Sequence, residues 1–194
     1  MAQVTEGMSG RGSASRPLVE LEAALPHIEA APKAVGRLEL IVRRPTPDAR
    51  EVLDEARLDH DVGLVGDCWK SKGSSSTPDG KARLDAQVTL TNSRVIETIA
   101  GPRELWPFAG DQLYVDFDLS AANLPPGTRL AIGDAVVEVS AHPHTGCAKF
   151  AARFGTDAQR FVASKRGREL NLRGVNTRVV VPGRVATGDV VRKS

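Results

Sequence analysis

Six consecutive residues, His142-Pro143-His144-Thr145-Gly146-Cys147, carry the densest chemistry in the chain. The run leaves a predicted strand, turns through Pro143 and Gly146, and sets Cys147 at the start of a predicted helix. There the backbone N–H groups and the helix dipole favour a thiolate, and Lys149 adds a nearby positive charge. A thiolate is what a soft metal ion or a sulfur-transfer reaction requires. A second arrangement makes zinc ligands of His142, His144 and Cys147, joined by the distant Cys68, although H-x-H-x-x-C is not a standard zinc spacing. A third leaves Cys147 as a small buried hydrophobe, the ordinary state of an isolated cysteine. The two histidines, the proline and the glycine directly upstream weigh against that state. Arg173-Gly174 opens a β-branched run, and an arginine at a strand end can grip an oxyanion or phosphate with two N–H groups. The same residue also reads as a surface charge near Arg168, Asn171 and Arg178.

Composition bounds what these residues can serve. A chain of 194 residues suits one domain with its own core. Lysine and arginine number 26 against 24 acidic residues, a formal charge of +2, so no general field points to nucleic acid or an anionic membrane. Any basic site must be local. Two cysteines in dissimilar contexts do not make a disulfide framework, and no apolar run of spanning length or signal-peptide pattern is present. The expectation is a cytoplasmic protein acting on a small molecule, without membrane or nucleic-acid partners.

The elements that must position Cys147 follow from periodicity. Residues 1–34 read as a disordered or weakly structured tail, with room for one short helix before Pro26 and Pro32. Alternation from Val35 predicts a first strand closed by Pro45 and Pro47. A short helix is expected from Asp48 to Leu58, then a long surface loop over 66–81 that contains Cys68. Residues 87–92 read as a strand and 93–101 as a helix ended by glycine. Leu113, Val115 and Phe117 alternate, and Gly133-Asp134 suits a two-residue hairpin turn. From Ala148 the period becomes helical, with a break at Gly155-Thr156, and strands return at 174–182 and after. Many short strands and few helices predict a mainly β fold, a closed barrel with helical inserts.

Read in order, Gly66-Asp67, Gln87-Val88, Gly110-Asp111-Gln112-Leu113, Gly133, the strand 135–140, Cys147, Arg173-Gly174 and Gly188-Asp189 resemble the MOSC family, the C-terminal domain of molybdenum cofactor sulfurases. The resemblance runs from Val35 to Val191 and places the domain at 35–194. It implies a MOSC-type β-barrel with Cys147 at the family's signature cysteine. It further implies either reduction of small N-hydroxylated compounds by a bound molybdenum cofactor (molybdopterin), with Cys147 as metal ligand, or sulfur carriage on Cys147. In this picture Arg173, Gly174, His142, His144, Lys149 and Gln112 contact the cofactor, and a separate protein donates electrons or sulfur. Relatives often have Gly-Glu-Asn-Leu where this chain has Gly110-Asp111-Gln112-Leu113. Neither the extra N-terminal barrel of amidoxime-reducing relatives nor a pyridoxal phosphate domain fits into residues 1–34.

Overall fold

Alternating burial along the strands closes a barrel. In the computed structural model, which describes residues 3–5, 15–74 and 77–194, the chain runs through β1 (Gln3–Thr5), α1 (Leu18–Ala23), α2 (Leu25–Glu29), β2 (Val35–Arg43), β3 (Arg50–Leu53), β4 (Glu55–Asp59), β5 (Gly63–Leu64) and α3 (Trp69–Lys72). Next come β6 (Val88–Asn92), α4 (Ser93–Ala100), β7 (Leu113–Asp116), β8 (Arg129–Ile132), β9 (Ala135–Val139), α5 (Ala148–Phe154), α6 (Thr156–Ala163) and α7 (Lys165–Glu169). The chain ends in β10 (Val175–Val181), β11 (Gly183–Ala186) and β12 (Val190–Lys193). Seven strands form a ring in the order β2-β12-β8-β9-β10-β6-β7, which the β2–β7 pairing shuts. Every pairing in the ring is antiparallel except β6 with β7. Strands β3 and β1 extend from β2, and β11, β4 and β5 make a second small sheet.

Strand β2 shows how one segment serves two cores. Leu38 and Ile41 point into the barrel with Leu90, Val115, Leu130 and Val137. Leu40 and Val42 point outward, under a layer that holds Tyr114, Ile96, Ile99, Phe150, Phe154 and Phe161. A strand alternates strictly, so this assignment needs one extra residue, and the register shifts between Leu38 and Leu40. The helices of the outer layer start where the sequence caps them. Asn92 accepts the Arg94 N–H at 2.9 Å at the head of α4, and Gly101, at φ +72°, ends it. Gly155, at φ +91°, separates α5 from α6.

Three expectations need correction. Residues 48–58 are not helical: Glu51, Val52 and Leu53 pair with Arg43, Val42 and Ile41, so the edge of β2 claims them as strand β3, and β4 follows. The 66–81 segment is not loop throughout, since α3 rises from it and buries Cys68 to 7 % exposure. Segment 1–34 is not a weakly structured tail where it is described: Gln3–Thr5 pair with β3, and α1 and α2 dock through Leu21 and Ile28 on the outer layer. Residues 1–2 and 6–14, which the tail expectation also covers, lie outside the described residues. Leu21 is fully buried, so Leu21→Ala is expected to cost about 2–5 kcal/mol. Urea denaturation checks this; an unchanged midpoint would mean that α1 is not part of the folded core.

Candidate functional site

Six segments meet against the outer layer of the barrel: the turn from β2 into β3, the base of α3 with Cys68 and Lys72, Thr89 of β6, Ala109-Gly110 before β7, the segment from His144 into α5, and Arg173 at the entry to β10. Between them lies a cleft of about 270 Å³. Cys147 lines it, exposed and at the N-cap of α5; its carbonyl accepts Phe150 N–H at 2.9 Å, and its side chain makes no capping bond. Cys68, remote in sequence, lines the same cleft from the base of α3.

Six cations surround the cleft, Arg44, Arg50, Lys72, Lys149, Arg153 and Arg173, and among the described residues no carboxylate-bearing side chain lines it. In a chain with net charge +2, this is the local basic site that composition alone does not reveal. Each cation is held differently. Arg44 bonds Asp67 through Nε and Nη2 at 2.9 and 2.8 Å and donates Nη1 to the Gly110 carbonyl. Burial works against its charge, but the Asp67 pairing outweighs it and the pKa is raised. Arg50 is buried and donates to the Pro47 and Ala49 carbonyls. Burial, then Arg153 and Arg44, pulls its pKa down, the sign of positive charges crowded together. Arg153 donates to the Phe108 carbonyl. Lys149 sits at the rim in an exposed pair with Asp48 at 3.0 Å. Gly110, at φ +91°, completes the floor with backbone alone, and a Cβ there would reach to 3.8 Å from Arg50 Nη2.

Arg173 is nearly buried, and its fork is mostly engaged within the protein. Nη1 donates to Asp111 at 2.7 Å, Nη2 donates to the Ala109 carbonyl at 2.9 Å, and the guanidinium lies 4.9 Å from the Phe150 ring centre. Only Nε, buried and without a partner, remains. The expected two-pronged grip on an oxyanion is therefore corrected: Arg173 supplies charge to the floor, and its paired N–H groups serve Asp111 and Ala109. Asp111 is fully buried, and burial pushes its carboxyl up while Arg173 pulls it back down.

The cleft brings together Cys147, His144, Lys149 and Arg173 of the residues singled out by sequence. Gln112 is not with them. It is fully buried, and its Oε1 accepts both the N–H and the hydroxyl of Thr89, at 2.9 and 2.5 Å, so it ties β6 to β7 instead of touching a ligand. His142 is not among the lining residues either; its carbonyl accepts Asn176 Nδ2 at 3.1 Å. Gly174, at φ +99°, serves packing, because a Cβ there would stand 2.2 Å from the Leu90 carbonyl oxygen. Among the described residues no group of three or more His, Cys, Asp or Glu side chains is placed to hold a metal ion, so the zinc arrangement of His142, His144, Cys147 and Cys68 is not formed. Arg44, Arg50, Arg153 and Lys72 escape a sequence reading because three different segments supply them. The one available signal is Lys149 and Arg153, spaced i, i+4 and hence on one face of α5.

His144 has 16 % of its side chain exposed, and burial, then Arg173, Arg44 and His142, hold its pKa well below the ordinary imidazole value. The unfolded chain binds this proton near pH ~6.5 and the folded chain resists it. The stability from a neutral His144 is thus complete above about pH 6.5 and is lost as the pH falls through that value toward the folded pKa. His144→Gln should flatten the fall in the denaturation midpoint between about pH 7.5 and 5.5. An unchanged slope would mean that the ring is not held neutral.

A family model for the MOSC domain matches residues 85–192. No curated protein sequence matches the chain. Among solved structures, the YuaD protein from Bacillus subtilis superposes with a TM-score of 0.61 at 18% identity, over 81% of this chain and 94% of its own. YiiM from Escherichia coli gives 0.53 at 19% identity, covering 81% of this chain and 69% of that one. YiiM from Geobacillus stearothermophilus gives 0.52 at 15% identity, with 83% and 73% covered. These likenesses establish the shared barrel fold. No helix among the described residues is long and apolar enough to cross a membrane.

Proposed function

Because the chain belongs to the MOSC domain family, we propose that its cationic cleft binds the molybdenum cofactor, with Cys147 as metal ligand, and that the protein reduces small N-hydroxylated compounds. One observation carries this reading: six cations and, among the described residues, no lining carboxylate surround a cleft that also holds an accessible soft sulfur. Like charges that crowd together, as at Arg50, Arg153 and Arg44, are stabilised by an anion, and the pterin's phosphate is one.

The residues present fit such a group. Arg153 and Lys72 offer positive charge without an ion-paired carboxylate among the described residues, so their charge is available to a phosphate. Gly110 presents a backbone surface without a side chain, and the orphaned Arg173 Nε marks a donor still to be satisfied. Cys147 offers a sulfur of the softness that molybdenum takes. When bound, the group supplies a metal centre able to pass electron pairs to a substrate. The chain's own part would be to hold the phosphate with its cations and to present the Cys147 sulfur. Electrons would come from a donor protein, as the proposed reduction requires.

The test is reduction of an N-hydroxylated benzamidine by the cofactor-loaded protein with reduced methyl viologen as electron source. Steady oxidation of the dye with formation of the amidine supports the reaction, and dye oxidation no faster than without protein counts against it. Sulfur carriage is the second reading, favoured by the exposure of Cys147 and by a second thiol in the same cleft. It requires intact-protein mass spectrometry to find one extra sulfur atom on Cys147.

A further inference from the structure

Beneath the cleft, two buried polar atoms face one another and neither has a hydrogen bond. Asp111 uses Oδ2 to accept Arg173, but its Oδ1 has no hydrogen-bond partner among the described residues. The Nδ1 of His144 is equally without one, and it stands 3.5 Å from that oxygen. The gap exceeds an N–H···O bond by a few tenths of an ångström, which a slight turn of the ring removes. Both atoms gain from closing it, because a buried polar group left unpaired is costly.

Closing the bond decides where the imidazole carries its hydrogen. Asp111, opposite the Arg173 guanidinium, is an acceptor, so Nδ1 must be the donor. That leaves Nε2 free of hydrogen, on the side of the ring away from buried Nδ1, and His144 lines the cleft. The charged and titratable groups acting on the ring are Asp111, Arg173, Arg44 and His142. Three of them disfavour a second proton. An anion in the cleft offsets Arg173 and Arg44 and so shifts the balance toward protonation at Nε2.

We propose that His144, oriented by Asp111, is the proton carrier of this cleft: a neutral imidazole with hydrogen on Nδ1 when no anion is present, and an acid at Nε2 once an anion is bound. The orientation stands on geometry alone, whereas the response to an anion shares the anion site of the proposed cofactor reading and the use of the proton rests on that reading. Converting N–OH to N–H consumes two electrons and two protons and releases one water. The N–O bond breaks, the oxygen leaves with one proton added to its hydroxyl, and the nitrogen takes the other. His144 gives the first proton and is recharged from solvent, and water gives the second. A molybdenum–pterin group, when bound and reduced, would supply both electrons, and a one-electron carrier protein would restore it in two steps. Asp111 is a positioning residue in this scheme, since it acts through His144.

The test uses the full chain without cofactor, labelled with nitrogen-15, and reads two-bond proton–nitrogen couplings of its four imidazoles. His144→Gln assigns the signal. Near neutral pH, His144 should show hydrogen on Nδ1, against the usual preference for Nε2; an Nε2–H ring would overturn the proposal. Sodium sulfate is the anion probe, because it does not titrate in this range. Its binding is read separately from the side-chain signals of Arg50 and Arg153, and once those move the protonation midpoint of His144 should rise by about one pH unit. Moved arginine signals with an unmoved midpoint would also overturn it. If sulfate moves no arginine signal, the anion site of the cofactor reading fails, and with it the anion-driven acid, while the ring's hydrogen still decides the Asp111 pairing. In loaded protein, His144→Gln should keep its molybdenum yet lose turnover by about 10²–10⁴-fold, along with the acid dependence of the rate.

Discussion

Cys147→Ser is expected to strip molybdenum from the protein while leaving the fold as stable as before. Cys147 is exposed, its side chain makes no capping hydrogen bond, and its backbone at φ −113°, ψ 171° already has the extended geometry of an N-cap. Serine is favoured at that position, because its oxygen can accept an N–H from the first turn of α5, so melting should be unchanged or slightly improved. The metal bond is another matter. A serine oxygen is hard and only weakly acidic, and a soft-ligand site loses its match when sulfur is removed. Molybdenum per chain should fall by about tenfold or more, with N-hydroxy reduction falling alongside. Elemental analysis beside a thermal melt separates the two effects. Retained molybdenum and turnover in the serine variant would show that Cys147 is not the ligand.

Arg173→Ala is expected to fail differently, in folding before function. Its side chain is 8 % exposed, and the carboxylate it pairs with is fully buried, so truncation strands a charge where water cannot reach it. Breaking such a pair costs about 3–5 kcal/mol, a large part of the stability of an ordinary domain. The deficit depends on pH in a definite sense. Burial already pushes the Asp111 carboxyl up, and without Arg173 it rises further. A carboxyl raised in the folded state favours folding below its unfolded pKa of about 3.9 and loses that advantage as the pH climbs. The gap between variant and wild type should therefore widen from about pH 5 to about pH 8. Arg173→Met combined with Asp111→Asn removes both charges and should recover much of the loss. Guanidinium denaturation of all three proteins at both pH values is the measurement; a variant within about 1 kcal/mol of wild type throughout would show that the pair is not buried as described.

The contrast between these two residues explains what the sequence could disclose. The setting of Cys147 was legible because the elements that place it are local: the strand before it, the turn through Pro143 and Gly146, and the helix after it. The barrel was legible for the same reason, since alternation in β2 and β7, the β-branched run of β10 and the Gly133-Asp134 turn are properties of short windows. Arg173 was only half legible. Its position at a strand end can be read, but its partner Asp111 lies 62 residues away, so nothing nearby in sequence tells a ligand-gripping fork from a buried ion pair. Arg44, Arg50 and Arg153 are three ordinary arginines until the fold gathers them around one cleft. The helix expected at 48–58 failed because pairing with β2 is a tertiary contact that outweighs local propensity. Cys68 likewise became a cleft residue through packing, its N–H donating to the Arg44 carbonyl at 2.7 Å.

The central claim is that this cleft holds a molybdenum cofactor. The most direct measurement is the metal and pterin content of the full chain purified from a host that makes that cofactor, by elemental analysis and by fluorescence of the released, oxidised pterin. The account predicts about one molybdenum and about one pterin per chain, both lost together on denaturation. Protein that carries neither, or carries zinc alone, would contradict it.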